Sequence, residues 1–336
     1  MAHNARACRI CGNADNNKTH TAREMLFGTR EAFHYLECGA CGCVQLMDIP
    51  QDMARYYPAD YYAFKEPEIY RKFEHDRPFT RFLRHRRSAY LFDRASLLGW
   101  ALSKVNPPQP RLLEYAQWFS LARAHLGSRI LDVGCGKGKM LSELAWYGFR
   151  NLHGADPFIG ADIRAPGIFI HSCDIFSLRE EFDMVMFNHS FEHMDDPYGI
   201  LGRVREILRP KGRVMIRIPT VSSYAWEHYG VNWVALDAPR HIFLYSLKSL
   251  DMLARRTGFT VEHVLYDSTE YQFWASEQYA RDIPEQDERS YGVNPSKSIF
   301  TKEQIREFSR RAQALNGEKR GDAICVFLAR IDKEGT

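Results

Sequence analysis

Residues Ile130-Leu131-Asp132-Val133-Gly134-Cys135-Gly136-Lys137-Gly138 read as an apolar strand running into three glycines at alternate positions, and GKMLSELAWYG then continues as a helix. Glycines in such a turn permit tight backbone curvature and let a ligand approach the main chain closely. The spacing is G-x-G-x-G, which differs from the G-x-G-x-x-G of dinucleotide sites, and no GK[ST] of a phosphate loop follows. Working outward, NLHGADP reads as a second strand with a turn, FDMVMFN as a buried strand, and YGILGRVREILRPKG as a helix closed by Pro and Gly. RVMIRIP is the next strand, SLKSLDMLARRTGF a helix opened by Ser246 and stopped by Gly258, and TVEHVLYDS and AICVFLARI the last strands. Alternating strands and helices predict an α/β domain over 128–336, with a largely parallel sheet and helices on both faces.

Two acids follow the glycine turn. Asp156 ends the next strand about 20 residues on, where a carboxylate accepts ribose hydroxyls. Asp174, in Cys173-Asp174-Ile175, is placed to meet an adenine amino group; the competing reading makes both acids turn or cap residues. In their order DVGCGKG, GADP, CDI and FDMVMFN resemble the class I methyltransferases. That resemblance implies a Rossmann-like, seven-stranded sheet and S-adenosylmethionine (SAM) as cofactor. It places the cofactor against Asp132, Gly134, Cys135, Gly136, Asp156, Pro157, Asp174, Ile175, Asn188 and His189, with Cys135 as a small residue tolerated in the loop.

The chain has 336 residues, 45% hydrophobic and 26% charged, with a net charge of +3. This composition excludes wholesale disorder and gives no general argument for nucleic acid as partner. No apolar h-region opens the sequence and no run of about 18 apolar residues occurs, so the expectation is a cytoplasmic protein with reduced thiols. Five of eight cysteines lie in residues 1–50. Cys8-x-x-Cys11 and Cys38-x-x-Cys41 form two knuckles separated by 26 residues, a pattern that predicts a closed four-thiolate zinc site of structural type, with Cys43 as a spare thiol. CRICG, ECGACGCVQLMDIP and YYPADYY together resemble the N-terminal zinc-binding domain of bacterial sugar C-methyltransferases. The resemblance implies a small-molecule acceptor containing a sugar, nucleotide-linked or belonging to a surface polysaccharide.

Two clusters can carry chemistry. The first, Asn188-His189-Ser190-Phe191-Glu192-His193, follows the FDMVMFN strand; Glu192 and His193 are candidate acid–base groups or helix-capping residues. A related Glu-x-x-Glu-His motif binds a divalent cation in ubiquinone-type O-methyltransferases, but His189 stands at the first position here, so no metal is expected in this loop. The second cluster is WEHYGVNWVALDAPRH, inside an expected acceptor-site insertion near 219–245, with another near 269–320. Trp226 and Trp233 are read as walls of the acceptor site and Arg240 as an anchor for a substrate phosphate or carboxylate. In the sugar C-methyltransferases a Tyr-x-Glu-His motif supplies the base in this frame. His241 matches that histidine, whereas Ala238 and Arg240 replace the tyrosine and glutamate, which leans the chemistry towards O-methylation.

Residues 51–127 are rich in aromatic residues and arginine and read as helical, around YYPADYYAF and RPFTRFLRHRRSAYLFDRASLLGWAL. Over 71–100 the arginines interleave with Phe79, Phe82, Tyr90 and Phe92. The favoured reading is an amphipathic helix with its aromatic residues on the core. The alternatives are phosphate contact, peripheral contact with an anionic membrane surface, or RNA. The last would accompany a zinc-ribbon rRNA methyltransferase, but no NPPY-like motif follows FDMVMFN. A scaffold that no longer turns over is a third reading, opposed by the intact acidic pair.

Overall fold

A computed structural model describes residues 7–57 and 75–331. In chain order it begins with strands β1 (Lys18–Arg23), β2 (Ala32–Glu37) and β3 (Val44–Leu46), followed by helices α1 (Pro78–Asp93), α2 (Leu97–Val105) and α3 (Pro110–Leu121). Next come β4 (Ile130–Val133), α4 (Lys139–Trp146), β5 (Leu152–Ala155), β6 (Ile163–Ala165), β7 (Ile168–His171), β8 (Phe182–Asn188), α5 (Pro197–Ile207) and β9 (Leu208–Pro219). The chain closes with α6 (Tyr224–Tyr229), β10 (Phe243–Leu244), α7 (Leu247–Arg256), β11 (Phe259–Tyr266), α8 (Tyr271–Ala280), α9 (Lys302–Gly317) and β12 (Ala323–Arg330).

The large sheet runs β11-β12-β9-β8-β4-β5-β7-β6. Strands β7, β5, β4, β8 and β9 are mutually parallel, and β12 is antiparallel to both of its neighbours. The expected seven strands are present, with an eighth added: Gly167, at φ +79°, turns β6 back along β7 and covers that edge. On β8, Met184 and Met186 face a core with Trp118, Phe119, Leu141 and Phe149, while Val185 and Phe187 face one with Leu201, Val204, Leu250 and Leu253. This two-residue alternation clothes both faces of the sheet and fixes the carboxyl ends of β4 and β8 side by side, the position where open α/β sheets hold ligands.

Three local expectations change. The helix expected to close at Pro210 and Gly212 ends slightly earlier, at Ile207, because Leu208 already pairs with Phe182 and Lys211 adopts φ +66°. The long basic stretch is broken at Arg94, which is left-handed, so α1 and α2 form a hairpin in which Gly99 packs on α1. Of the tyrosine-rich segment, Tyr56 closes a short 3-10 turn (Met53–Tyr56); residues 58–74, including Arg71 and Lys72, lie outside the described residues.

The break in composition near residue 50 is not a break in packing. Strand β3 pairs with β10, Phe243 opposite Gln45 and Leu244 opposite Val44, so a strand from the large domain completes the N-terminal sheet. Ser246 fastens the same junction: its hydroxyl donates to the Cys41 carbonyl and accepts the Ser249 N–H that opens α7, at 2.9 Å. Ser246→Ala removes both contacts and is expected to cost about 0.5–2 kcal/mol, read as a lower denaturant midpoint with unchanged slope.

Candidate active site

The glycine turn follows from sterics. Gly134, Gly136 and Gly138 have φ of +72°, +53° and +78°, a region that disfavours side chains. A Cβ on Gly134 would also lie 2.6 Å from the Cβ of Ser190. Ser190 is held there by donating to the Val133 carbonyl at 2.6 Å, which draws the β8 loop against the end of β4. Asp156 is buried and accepts from the N–H of Gly136 at 2.8 Å and of Phe158 at 2.9 Å. Asp132 is buried beneath the turn, and burial, reinforced by Asp156, pushes its carboxyl well above the ordinary range. Pro157 follows Asp156 at the mouth of the turn, and Cys135 packs its sulfur where any side chain on Gly154 would have to go. Asp174 caps the short turn Ile175–Ser177, accepting from the Ser177 N–H at 3.0 Å. The capping reading and the cofactor reading of Asp174 are compatible, since its side chain remains exposed to solvent.

Beside the loop after β8 lies a cavity of about 430 Å³, lined among others by Leu26, Glu192, His193, Asp237, His241 and Gln272. Two histidines are oriented alike. His241 Nδ1 donates to the Ala235 carbonyl at 2.7 Å and His193 Nδ1 to the Arg240 carbonyl at 2.8 Å, leaving each Nε2 as the unprotonated nitrogen. Their rings meet edge to face at 4.7 Å between centroids. Glu192 Oε1 lies 3.9 Å from His241 Nε2 and 3.6 Å from His189 Nδ1, too far for hydrogen bonds. Burial opposes ionisation of Glu192, but the three surrounding imidazoles hold its carboxyl down, at about 2. Burial lowers His193, helped by His241 and opposed by Glu192. Behind this group, the Arg217 guanidinium spans Asp267, Asn188 and His189.

The second cluster divides. His241 lines the cavity, but Arg240 does not reach it. Its guanidinium is fully buried, bound to both oxygens of Asp237 at 3.0 Å and to Glu24 at 3.0 Å. Burial alone would lower its pKa; the two carboxylates raise it instead. The expectation that Arg240 anchors a substrate anion is therefore corrected: its charge is already matched within the fold. Trp233 is likewise buried, its Nε1 donating to Asp322 at 2.9 Å, and Trp226 packs on His20 and Trp233 away from the cavity. The structure also brings in residues that motif reading missed. Glu24 holds the loop that supplies Leu26 and Phe27, accepting from the N–H groups of Leu26, Phe27 and Thr29. Asp237 had a local signal, three and four residues before Arg240 and His241; Glu24 had none, lying 216 residues from its partner.

The four cysteines Cys8, Cys11, Cys38 and Cys41 converge with all sulfurs within 4.8 Å of one another. Cys8 and Cys41 are 3.6 Å apart and Cys11 and Cys38 3.4 Å, close to the edge of about 3.8 Å that a tetrahedron with Zn–S of about 2.3 Å requires. The two knuckles repeat one backbone pattern: Gly12 N–H bonds to the Cys8 carbonyl as Gly42 N–H bonds to that of Cys38, and both glycines have positive φ. The fit to a tetrahedral metal is good. Cys43 is buried and donates towards the Val44 carbonyl, outside the four.

Removing Arg240 would leave Asp237 and Glu24 buried without a counter-charge. Arg240→Ala should lose about 3–5 kcal/mol of stability, measured by denaturant unfolding; an unaltered midpoint with a raised acceptor KM would restore the substrate-anchor reading.

Residues 82–264 match the profile of a family described as a methyltransferase domain. Among curated proteins, a ubiquinone biosynthesis O-methyltransferase of Xanthomonas oryzae pv. oryzae is 24% identical over 191 residues, covering 50% of this chain and 77% of that protein. That of Cereibacter sphaeroides is 30% identical over 129 residues, covering 34% and 51%. Among solved structures, the cyclopropane synthase MmaA2 from Mycobacterium tuberculosis superposes with a TM-score of 0.40 at 16% identity, covering 67% of this chain and 87% of that one. Because the profile spans more than half of its 336 residues, this chain belongs to the methyltransferase-domain family and is a class I SAM-dependent methyltransferase.

Proposed function

We propose that the enzyme methylates a hydroxyl of a small, sugar-containing acceptor seated in the 430 Å³ cavity, with His241 as general base. The observation that carries this reading is the set of unpartnered oxygens around that cavity. Both carboxylate oxygens of Glu192, Oδ1 of Asp267 and Oε1 of Gln272 are buried without a hydrogen-bond donor, and all three residues line it. Asp237, Glu285 and Asp322 add further carboxylates to the lining. Such unpartnered oxygens call for hydrogen-bond donors, which suits a polyol at the reacting end. The curated relatives, by their names, are O-methyltransferases, which supports oxygen as the acceptor atom.

SAM, when bound, supplies a methyl on a positively charged sulfur. The residues proposed to hold it are Gly134, Gly136, Asp156, Asp174 and the chain at Asn188 and His189, where the glycine cradle leaves no room for a side chain on Gly134. What remains for the protein is orientation and removal of one proton. His241 Nε2 would take that proton from the acceptor hydroxyl as the methyl passes from sulfur to oxygen. The Ala235 carbonyl holds the imidazole in the required tautomer, and ionised Glu192 favours the imidazolium that forms. The cysteine cluster is proposed to hold a structural zinc, since four thiolates leave no open coordination position.

His241→Ala should bind SAM with unchanged affinity by calorimetry and lose about 10²–10⁴-fold in kcat; full activity in that variant would remove His241 from the mechanism. Because burial keeps His193 below its ordinary value, His193 stays neutral at neutral pH and sets no second cation beside His241; protonating it in acid would oppose proton uptake by His241. The rate should fall only as acidity rises through the region below pH 6.5, and an acid limb centred above pH 7 would contradict this. Stripping the zinc should release one metal per chain and unfold residues 8–46, seen as lost amide protection there before the large sheet opens.

A further inference from the structure

Among the described residues, the hairpin of α1 and α2 is fixed to the large domain through Arg84 and Phe92. Arg84 donates to the Trp146 carbonyl at 2.8 Å and lies over its ring, and Phe92 packs on Phe119 and Phe149. Gly99 then fixes α2 on α1, since a Cβ there would sit 2.0 Å from the Arg86 carbonyl oxygen. Phe92 thus meets the expectation of aromatic residues on the core, whereas Phe79 and Phe82 do not.

What remains on the outside is strongly apolar. Phe79 is 71% exposed, Leu97 88% and Val105 86%, with Phe82, Leu98 and Trp100 also exposed. So many large apolar side chains on two adjoining helices mark an interaction surface. Exposed cations stand among them: Arg77, Arg81, Arg86, Arg94 and Lys104. Among the described residues none of these five is paired with a carboxylate, and Asp93 is the only exposed acid on the hairpin. A second copy of the same face would bring five like charges against five, which disfavours a symmetric dimer there. An apolar face ringed by arginine fits a partner that is itself apolar beneath an anionic skin.

We propose that the α1–α2 hairpin docks this enzyme on an anionic lipid bilayer, with Leu97, Trp100 and Val105 entering the boundary between headgroups and acyl chains and the arginines meeting lipid phosphates. No helix of the described residues is long and apolar enough to cross a membrane, so the attachment is peripheral. Neither α1 nor α2 lines the catalytic cavity, which lets docking and catalysis be separated by experiment.

The test is co-sedimentation of the full chain with vesicles of phosphatidylcholine, alone or with about 30 mol% phosphatidylglycerol. Binding should be at least about tenfold stronger to the anionic vesicles, and should weaken as salt rises from about 0.1 M to about 0.5 M. Two double variants, Leu97→Ser with Trp100→Ser and Arg81→Glu with Arg86→Glu, should each lose about tenfold or more while binding SAM as the parent does. Failure to sediment with anionic vesicles overturns the proposal, as does equal binding to neutral ones. A concentration-dependent dimer, abolished by the serine variants in the absence of lipid binding, would instead assign the face to a second copy.

Discussion

A guanidinium buried beyond the reach of solvent must be neutralised where it lies, and the catalytic side of this enzyme is organised around that constraint. Arg240 is fully buried, and one of the carboxylates that match its charge comes from a distant part of the chain, Glu24 in the N-terminal module, while the other, Asp237, lies three residues before it in the loop after α6. Desolvating these three groups is costly, so the arrangement holds only while all its hydrogen bonds are made. The backbone of the same segment then carries the functional geometry: the Arg240 carbonyl orients His193, the His241 carbonyl accepts from Tyr35, and Ile242 N–H bonds to the Glu192 carbonyl. The ion cluster thereby joins three separate segments into one wall of the cavity.

Two of the attachments between the N-terminal module and the large domain bear directly on the cavity wall. One is the sheet shared through β3 and β10; the other is the Glu24 carboxylate, which also shapes the loop bearing Leu26 and Phe27. A core of Phe33, Tyr35, Leu46, Trp233, Leu236 and Trp274 fills the space between. The cysteine cluster acts at one remove from chemistry, through Ser246 and the strand β10 that follow the His241 loop.

Much of this was legible beforehand where the signal is local. The strand-to-helix glycine turn, the Ser246 cap, the Gly258 stop and the paired CxxC knuckles each depend on residues within a few positions of one another, and each appears where expected. Arg240 and the two tryptophans were misread for the opposite reason. An arginine beside the proposed base His241 can face solvent or interior, and the choice was made by Glu24, far away in sequence. Trp233 was similarly drawn inward by Asp322. The eighth strand escaped notice because three residues give too short a period to recognise.

The sequence by itself determined the fold class, the order of the strands, the glycine cradle and the four thiols, because backbone sterics, side-chain periodicity and ligand spacing act over short distances. Only the tertiary structure decided which polar groups face the cavity and which spend their charge on one another. Desolvation makes that choice: a buried polar group is stable where a partner awaits it, and the partnerships of Arg240 with Glu24 and of Trp233 with Asp322 are set by packing between segments that the chain itself keeps far apart.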